Sequence, residues 1–295
     1  MSDMLYRHNK HWYYLLIAPA LALYLFALII PLLFGTIPSA FYNWNIVKGV
    51  HKFNGLTNFS RMFGDATFLQ SLKFTAELAL FSVVGTNILA FAVAFLLDAN
   101  LLGKSVSRAL FFIPNIMSGI LVAFVWLYIL TGAVPDVGKR LGIPFLQEIS
   151  WFGSTGMAAF SVILVSVWQG MGYLMMLYIA GLQTIPRDVI EAAELDGCTG
   201  IRKVFRIQLP LIMPTLTISL FISISGAFKA MDVPLALTGG GPGRATQTLA
   251  MTIYNEAFET HKLGYASAEA VVLLLIVLLI TVIQLRVTRS REVQM

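Results

Sequence analysis

Charge is scarce in this sequence. Only 12% of its 295 residues are charged, whereas an ordinary soluble domain carries roughly 25% charged residues. Hydrophobic residues make up 58% of the chain, and the mean hydropathy is +0.79. Because so few charges cannot cover a water-exposed surface, the composition excludes a soluble globular protein and predicts a chain that faces membrane hydrocarbon.

The sequence also lacks the motifs of metal and nucleotide sites. Its one cysteine, Cys198, excludes an intrachain disulfide and has no histidine at metal-ligand spacing. The segment from Gly132 to Lys139 is one residue too long for a phosphate-binding loop, and no Ser or Thr follows its lysine. The four histidines show no HExxH pattern: His8, His11, His51 and His261. We therefore predict no catalytic centre, metal or cofactor in this chain, so its energy must come from a partner or a gradient.

The basic residues form no contiguous patch. The formal net charge is +5, but Lys and Arg lie at the borders of apolar runs, where they orient a membrane protein. Proteins that track nucleic acid instead gather such residues on one face. The pattern therefore excludes nucleic acid as a partner.

Six apolar runs approach the ~20 residues that cross a bilayer core. They cover residues 12–33, 74–97, 109–130, 157–180, 211–230 and 268–285. The first run is longer than the roughly 7–15 residues of a signal-peptide core, so we interpret it as a retained helix. The sequence predicts an all-α polytopic membrane protein, with residues 1–295 forming one transmembrane domain of about six helices.

The distribution of Lys and Arg predicts the orientation of these helices. With six spans both termini share one side, and that side collects eleven Lys and Arg residues in short segments. The opposite side holds eight in much longer loops. Since cytoplasmic loops carry the excess of basic residues, we expect both termini in the cytoplasm.

The connection between the fourth and fifth spans has well-marked helix ends. Thr184 suits a helix cap, Pro186 suits the first turn, and Gly197 supplies the left-handed residue that ends a helix. A second short helix, capped by Thr199, is expected to follow, and Pro210 marks the entry into the fifth span. Small and apolar residues beside acidic ones are typical of a helix that docks in a partner's groove. From the residues alone, a solvated turn between two spans remains the alternative.

Two sets of motifs resemble a known family of membrane proteins. Glu191-Ala192-Ala193, Gly197, Ile207 and Leu209-Pro210 have the spacing of the EAA loop of permease subunits in ABC importers. A second set resembles sugar-importer permeases of the maltose and glycerol-3-phosphate type: Phe112–Asn115, Phe228–Asp232, Leu237–Gly243 and Gly264–Ala268. The resemblance extends over residues 10–290.

The resemblance implies a type I ABC importer permease fold in a prokaryotic inner membrane. Residues 184–209 would then hold a coupling helix that seats in a cytoplasmic ABC ATPase dimer, and the residues carried over from the motif are Glu191, Ala192, Ala193, Gly197 and Pro210. The ATPase would use ATP and Mg. A second homologous permease and an extracytoplasmic solute-binding protein would complete the importer, which would work by alternating access. We expect no counterpart of the extra N-terminal helices and large outer domain of the best-known maltose permease.

The resemblance also places a sugar path on the third to fifth spans. A transport site binds its solute and releases it, so aromatic faces and neutral hydrogen-bonding groups suit a sugar. The candidates for the path are Asn115, Ser118, Trp168, Gln169, Tyr173, Ser223, Ser225 and Lys229. Each could instead serve helix packing or the membrane interface.

Three other functions compete with a sugar permease. A non-sugar solute such as glycerol-3-phosphate would keep the same machinery. A stand-alone secondary carrier would need charged or discontinuous sites at the membrane midplane, and the sequence shows neither clearly. A membrane enzyme is disfavoured because no nucleophile–base or carboxylate pair stands out.

Overall fold

The structure, a computed structural model, describes residues 10–98 and 103–292. Its helices are α1 (10–39), α2 (Thr57–Phe63), α3 (Ala66–Asp98), α4 (Lys104–Ile116), α5 (Gly119–Leu141), α6 (Pro144–Glu148), α7 (Thr155–Leu182), α8 (Arg187–Leu195), α9 (Gly200–Leu211), α10 (Met213–Phe228), α11 (Asp232–Thr238), α12 (249–259) and α13 (Leu263–Arg289). Its two strands are β1 (Tyr42–Asn45) and β2 (Val50–Phe53).

Five of these helices are long and apolar enough to cross a membrane. They are α1 from Tyr14 onward, α3, α5, α7 and α13. The pair α9 and α10, which bends by 78° between Leu211 and Met213, makes a sixth crossing if the two helices form one span. The 16 residues of α10 extend over roughly 24 Å, which is shorter than the hydrocarbon core of about 30 Å. These helices therefore agree with the predicted six crossings, the fifth of which depends on a bent helix.

The third span differs from the predicted run 109–130. The backbone is extended at Met117 and Ser118, with ψ of 145° and 139°, so α4 ends at Ile116 and the crossing helix begins at Gly119. Asn115, Ser118 and Gly119 lie near this break, but the run around them is apolar on average, and a hydropathy pattern therefore misses it. The crossing helix instead continues to Leu141.

Contacts divide the chain into two compact units. The hairpin unit comprises the residues up to Gly64 together with Ile253–Val272. In it, β1 pairs antiparallel with β2, and the buried amide of Asn58 donates to the carbonyls of Ala40 and Tyr42 at 2.8 and 2.9 Å. These hydrogen bonds tie the hairpin to α2.

The cavity unit comprises Asp65–Thr252 and the residues from Leu273 onward. Its core forms where α3 and α7 pack together, with Leu78, Ala90 and Tyr178 fully buried. Gly172 brings α7 against α4, because a Cβ at this position would collide with the backbone carbonyl of Phe111. Close approach at glycine is the usual way for membrane helices to pack.

Candidate functional site

A cavity of about 410 Å³ lies within the cavity unit. Its wall is formed by α3, the junction of α4 and α5, α7, α10 and the segment that leads into α11. The neutral hydrogen-bonding side chains on this wall are Ser82, Thr86, Asn115, Ser166, Gln169, Tyr173 and Ser223. The volume falls within the roughly 300–1,000 Å³ that is typical of small-molecule sites.

Five of the eight residues predicted to form the solute path line this cavity: Asn115, Gln169, Tyr173, Ser223 and Lys229. The other three are not on its wall. Ser118 occupies the N-cap position of α5, and Trp168 packs edge-on against Trp126 with ring centroids 5.4 Å apart. Ser225 lies on α10. The structure thus gathers predicted residues from three helices, α4, α7 and α10, and from the segment after α10.

The break between α4 and α5 lies at the cavity. Gln169 of α7 donates a hydrogen bond from Nε2 to the carbonyl of Met117 at 3.2 Å. This contact satisfies a backbone acceptor at the break, where the regular helical hydrogen bonds are interrupted. Asn115 and Gly119, which flank the break, both line the cavity. The chain therefore has the discontinuous helix that the sequence analysis did not find.

Two charged residues lie on the cavity wall. Lys229 was a predicted candidate, and Asp232 was missed although it stands in the quoted motif Phe228–Asp232. A Cβ at Gly119 would meet the Asp232 Cβ at 2.8 Å, so glycine at this position leaves room for the aspartate. Among the described residues, no group of three or more His, Cys, Asp or Glu side chains is placed to hold a metal ion.

A buried polar network adjoins the cavity. The hydroxyl of Tyr178 donates to Asn87 Oδ1 at 2.7 Å, and Asn87 Nδ2 donates to Ser223 Oγ at 3.0 Å. These bonds join α7, α3 and α10. Asn87 was missed by the sequence analysis, and an amide in the middle of an apolar run is the signal that would have found it.

Helix α8 lies in the connection between the fourth and fifth predicted spans, and it ends where Gly197 predicts. Gly197 has φ of +73°, and its N–H donates to the carbonyl of Glu194 at 3.0 Å. The N–H of Cys198 donates to the carbonyl of Ala193 at 2.8 Å. These two hydrogen bonds form a Schellman motif, so the prediction that Gly197 ends this helix is confirmed.

The predicted caps of this connection are partly wrong. The Thr184 hydroxyl donates to the carbonyl of Gly181 at 2.7 Å and thus satisfies the end of α7 instead of starting α8. Pro186 lies at the N-cap position, one residue before the first turn. Thr199 stands at the N-cap of α9, but its side chain forms no capping hydrogen bond.

The exposed side of α8 continues onto α9. Glu191 and Ala192 are exposed, whereas Ala193, which is carried over from the same motif, is buried against the rest of the chain. Leu195 is 89% exposed, and Ile201 and Phe205 on α9 are 77% and 64% exposed. The pair between Glu194 and Lys203, at 2.6 Å, joins the two helices. The rest of the described chain therefore leaves these three apolar side chains largely uncovered.

Comparison with known proteins relates the whole chain to one family. The family described as "Binding-protein-dependent transport system inner membrane component" matches residues 86–293. The chain is 35% identical over 289 residues to the probable starch degradation products transport system permease protein AmyD of Thermoanaerobacterium thermosulfurigenes, covering 97% of each. It is 33% identical to the multiple sugar-binding transport system permease protein MsmF of Streptococcus mutans, covering 97% of this chain and 98% of that protein. With the sn-glycerol-3-phosphate transport system permease protein UgpA of Escherichia coli it shares 32% identity over 94% of each chain.

A solved structure has the same fold. A chain of a bacterial ABC transporter involved in the import of the acidic polysaccharide alginate aligns with a TM-score of 0.81 at 19% identity. The alignment covers 97% of this chain and 99% of the other. The helices therefore adopt the fold of an ABC importer permease.

Proposed function

The chain belongs to the binding-protein-dependent transport system inner membrane components, and from this membership we propose that it is the permease of an ATP-driven importer for sugars or oligosaccharides. The observation that carries the proposal is the cavity, whose wall has seven neutral hydrogen-bonding side chains and the aromatic ring of Tyr173. Such groups hold a sugar without binding it too tightly for release. Similarity over nearly the full length to the permeases AmyD and MsmF supports the same solute class.

Helix α8 is the proposed contact with the energy source. Glu191 and Ala192 present an exposed face to a groove of a cytoplasmic ATPase dimer, and the buried Ala193 holds the helix on the membrane domain. Gly197 ends α8 in the left-handed conformation, and Pro210 lies one residue before the end of α9. ATP and Mg belong to the ATPase, whose closure drives rigid-body motion of the spans and alternating access to the cavity.

The remaining subunits follow from the same proposal. A second homologous permease completes the pathway, and an extracytoplasmic solute-binding protein delivers the sugar. Both termini and the connection 184–209 lie on the cytoplasmic side, where the basic residues are concentrated.

Glycerol-3-phosphate is the second candidate solute. The 32% identity to UgpA supports it, and the ammonium of Lys229 on the cavity wall could attract an anion. A stand-alone secondary carrier would use the same discontinuous helix and the same charges, but it would need no contact at α8.

Uptake into proteoliposomes tests the proposed function. The chain, purified with its subunits, should take up a sugar from a panel only when ATP is inside and the binding protein outside. The same chain reconstituted alone should show no uptake. Gradient-driven uptake by the chain alone would refute the proposal of an ATP-driven importer. Uptake of glycerol-3-phosphate but of no sugar would show that glycerol-3-phosphate is the solute instead.

A further inference from the structure

The two charges on the cavity wall have opposite signs. Lys229 and Asp232 are the only lining residues of the described chain with a formal charge at neutral pH, so the wall carries a net charge of zero. We propose that this pair makes the cavity select neutral polyhydroxylated solutes and reject phosphates and uronates. This inference rests on the proposed function, because it specifies the solute class of the same site.

Each charge is placed at a helix end that stabilises it. Lys229 is the C-cap of α10, and its backbone N–H donates to the carbonyl of Gly226 at 3.1 Å. Asp232 lies beside Gly119, the first residue of α5. Because the C-terminus of a helix favours a cation and the N-terminus favours an anion, each side chain lies at a helix end of complementary polarity.

The pair is available to a solute. Within the described part of the chain, the ion pairs are Lys73–Glu77, Glu194–Lys203 and Glu256–Lys262, and neither cavity charge takes part in them. Lys229 and Asp232 are both exposed. The ammonium can therefore donate to a sugar oxygen while the carboxylate accepts from a hydroxyl, and a polyol offers both partners.

An anion fits this wall poorly. It gains attraction from Lys229 but meets repulsion from Asp232, and it loses hydration when it enters the cavity. Arginine, whose planar fork suits phosphates and carboxylates, does not occur among the described residues of the wall. Because this attraction and repulsion oppose each other, the lost hydration stays uncompensated, and it discriminates against solutes that differ from a neutral sugar only in their charge.

Direct binding to the purified transporter, without the binding protein, tests this selection. The probes are neutral trimers of glucose, galactose and xylose, with trimers of galacturonate and mannuronate as acidic counterparts. We expect the preferred neutral trimer to bind about tenfold more tightly than any uronate trimer, since an uncompensated hydration loss of about 1.4 kcal/mol corresponds to that ratio.

Charge variants then separate selection from folding. Asp232→Asn leaves the wall positive and should reduce the affinity ratio of neutral to uronate trimers about tenfold. Lys229→Gln leaves the wall negative and should increase that ratio. Misfolding cannot move the ratio in opposite directions. The matched controls Lys73→Gln and Glu77→Gln remove charges of an exposed pair outside the cavity and should leave the ratio unchanged.

Two results would overturn the inference. The first is equal affinity of the wild-type transporter for uronate and neutral trimers. The second is an Asp232→Asn variant whose affinity ratio of neutral to uronate trimers is unchanged. Either result would contradict the inference but not the proposed sugar permease. Binding of none of the trimers would instead contradict the proposed sugar class, and the inference with it.

Discussion

Asn87 shows how a single polar residue shapes this membrane protein. Its amide accepts from Tyr178 and donates to Ser223, so one side chain links three helices beside the cavity. In hydrocarbon each of these groups would lose hydration without compensation. The network therefore positions the cavity wall, while Lys229 and Asp232 determine its charge.

Removing one hydroxyl from this network should destabilise the protein. Tyr178→Phe leaves Asn87 Oδ1 without its donor but keeps the ring, which packs edge-on against Phe91 at 5.5 Å. We expect a loss of about 0.6–1.7 kcal/mol, the range for hydrogen bonds between membrane helices, measured as a lower melting temperature in detergent. Tyr128→Phe, at a residue 73% exposed, is the control. Equal melting temperatures for both variants would show that the network contributes nothing.

At this scale the sequence predicted only part of the site. Asn115, Gln169 and Tyr173 could be found because polar and aromatic residues stand out in apolar runs. Asp232 and Asn87 were missed for different reasons. The aspartate lies beyond the end of its span, and the amide lies on α3, which the resemblance does not assign to the sugar path.

At the scale of elements, the ends of helices carry the functional features. The break at Met117 and Ser118 forms part of the cavity, and Gly197 ends α8 in the left-handed conformation. The second was predictable because glycine marks a helix C-terminus. The first was not, since hydropathy averages over the whole run and the few polar residues near the break do not interrupt it.

Changing the turn after α8 should uncouple transport from ATP hydrolysis. At Gly197, φ is +73° and a Cβ would meet no neighbour, so Gly197→Val acts through backbone strain of about 1–3 kcal/mol. We expect the variant to reach the membrane in normal amounts and to lose most ATP-driven uptake. Gly156→Val, in open space on α7, should keep its uptake. Normal uptake by Gly197→Val would show that the turn is dispensable.

The packing of α4 on α7 depends on Gly172. Gly172→Ala forces the two helices apart because its Cβ would meet the carbonyl of Phe111, and overpacking of this kind costs about 1–3 kcal/mol. The expected result is a lower melting temperature than that of Gly156→Ala on the same helix. If the two variants melt alike, the close contact between α4 and α7 is not a stabilising feature.

At the scale of the whole molecule, hydropathy predicted the number of crossings well and their limits less well. Five spans and one bent pair agree with six apolar runs. The predicted limits failed at the third span because hydropathy measures composition, whereas the break depends on the backbone conformation of two residues. The orientation of the chain remains a prediction from its basic residues.

The single cysteine tests that orientation. Cys198 follows Gly197 and is half-buried, and we expect a membrane-impermeant thiol reagent to label it in inside-out vesicles only. A Lys48→Cys variant that also carries Cys198→Ser places the thiol in the turn between β1 and β2 and should be labelled in intact cells. Labelling of Cys198 in intact cells expressing the wild-type protein would show that the chain has the opposite orientation.

Cross-linking at α8 tests most directly the central claim that a separate ATPase drives this permease through the helix. In the assembled transporter, Leu195→Cys in a Cys198→Ser background should cross-link to the ATP-hydrolysing subunit, since the side chain is 89% exposed. Ile46→Cys, which is also on the surface, should not. A transporter that remains active in ATP-driven uptake but gives no cross-link from position 195 to the ATPase would contradict the account.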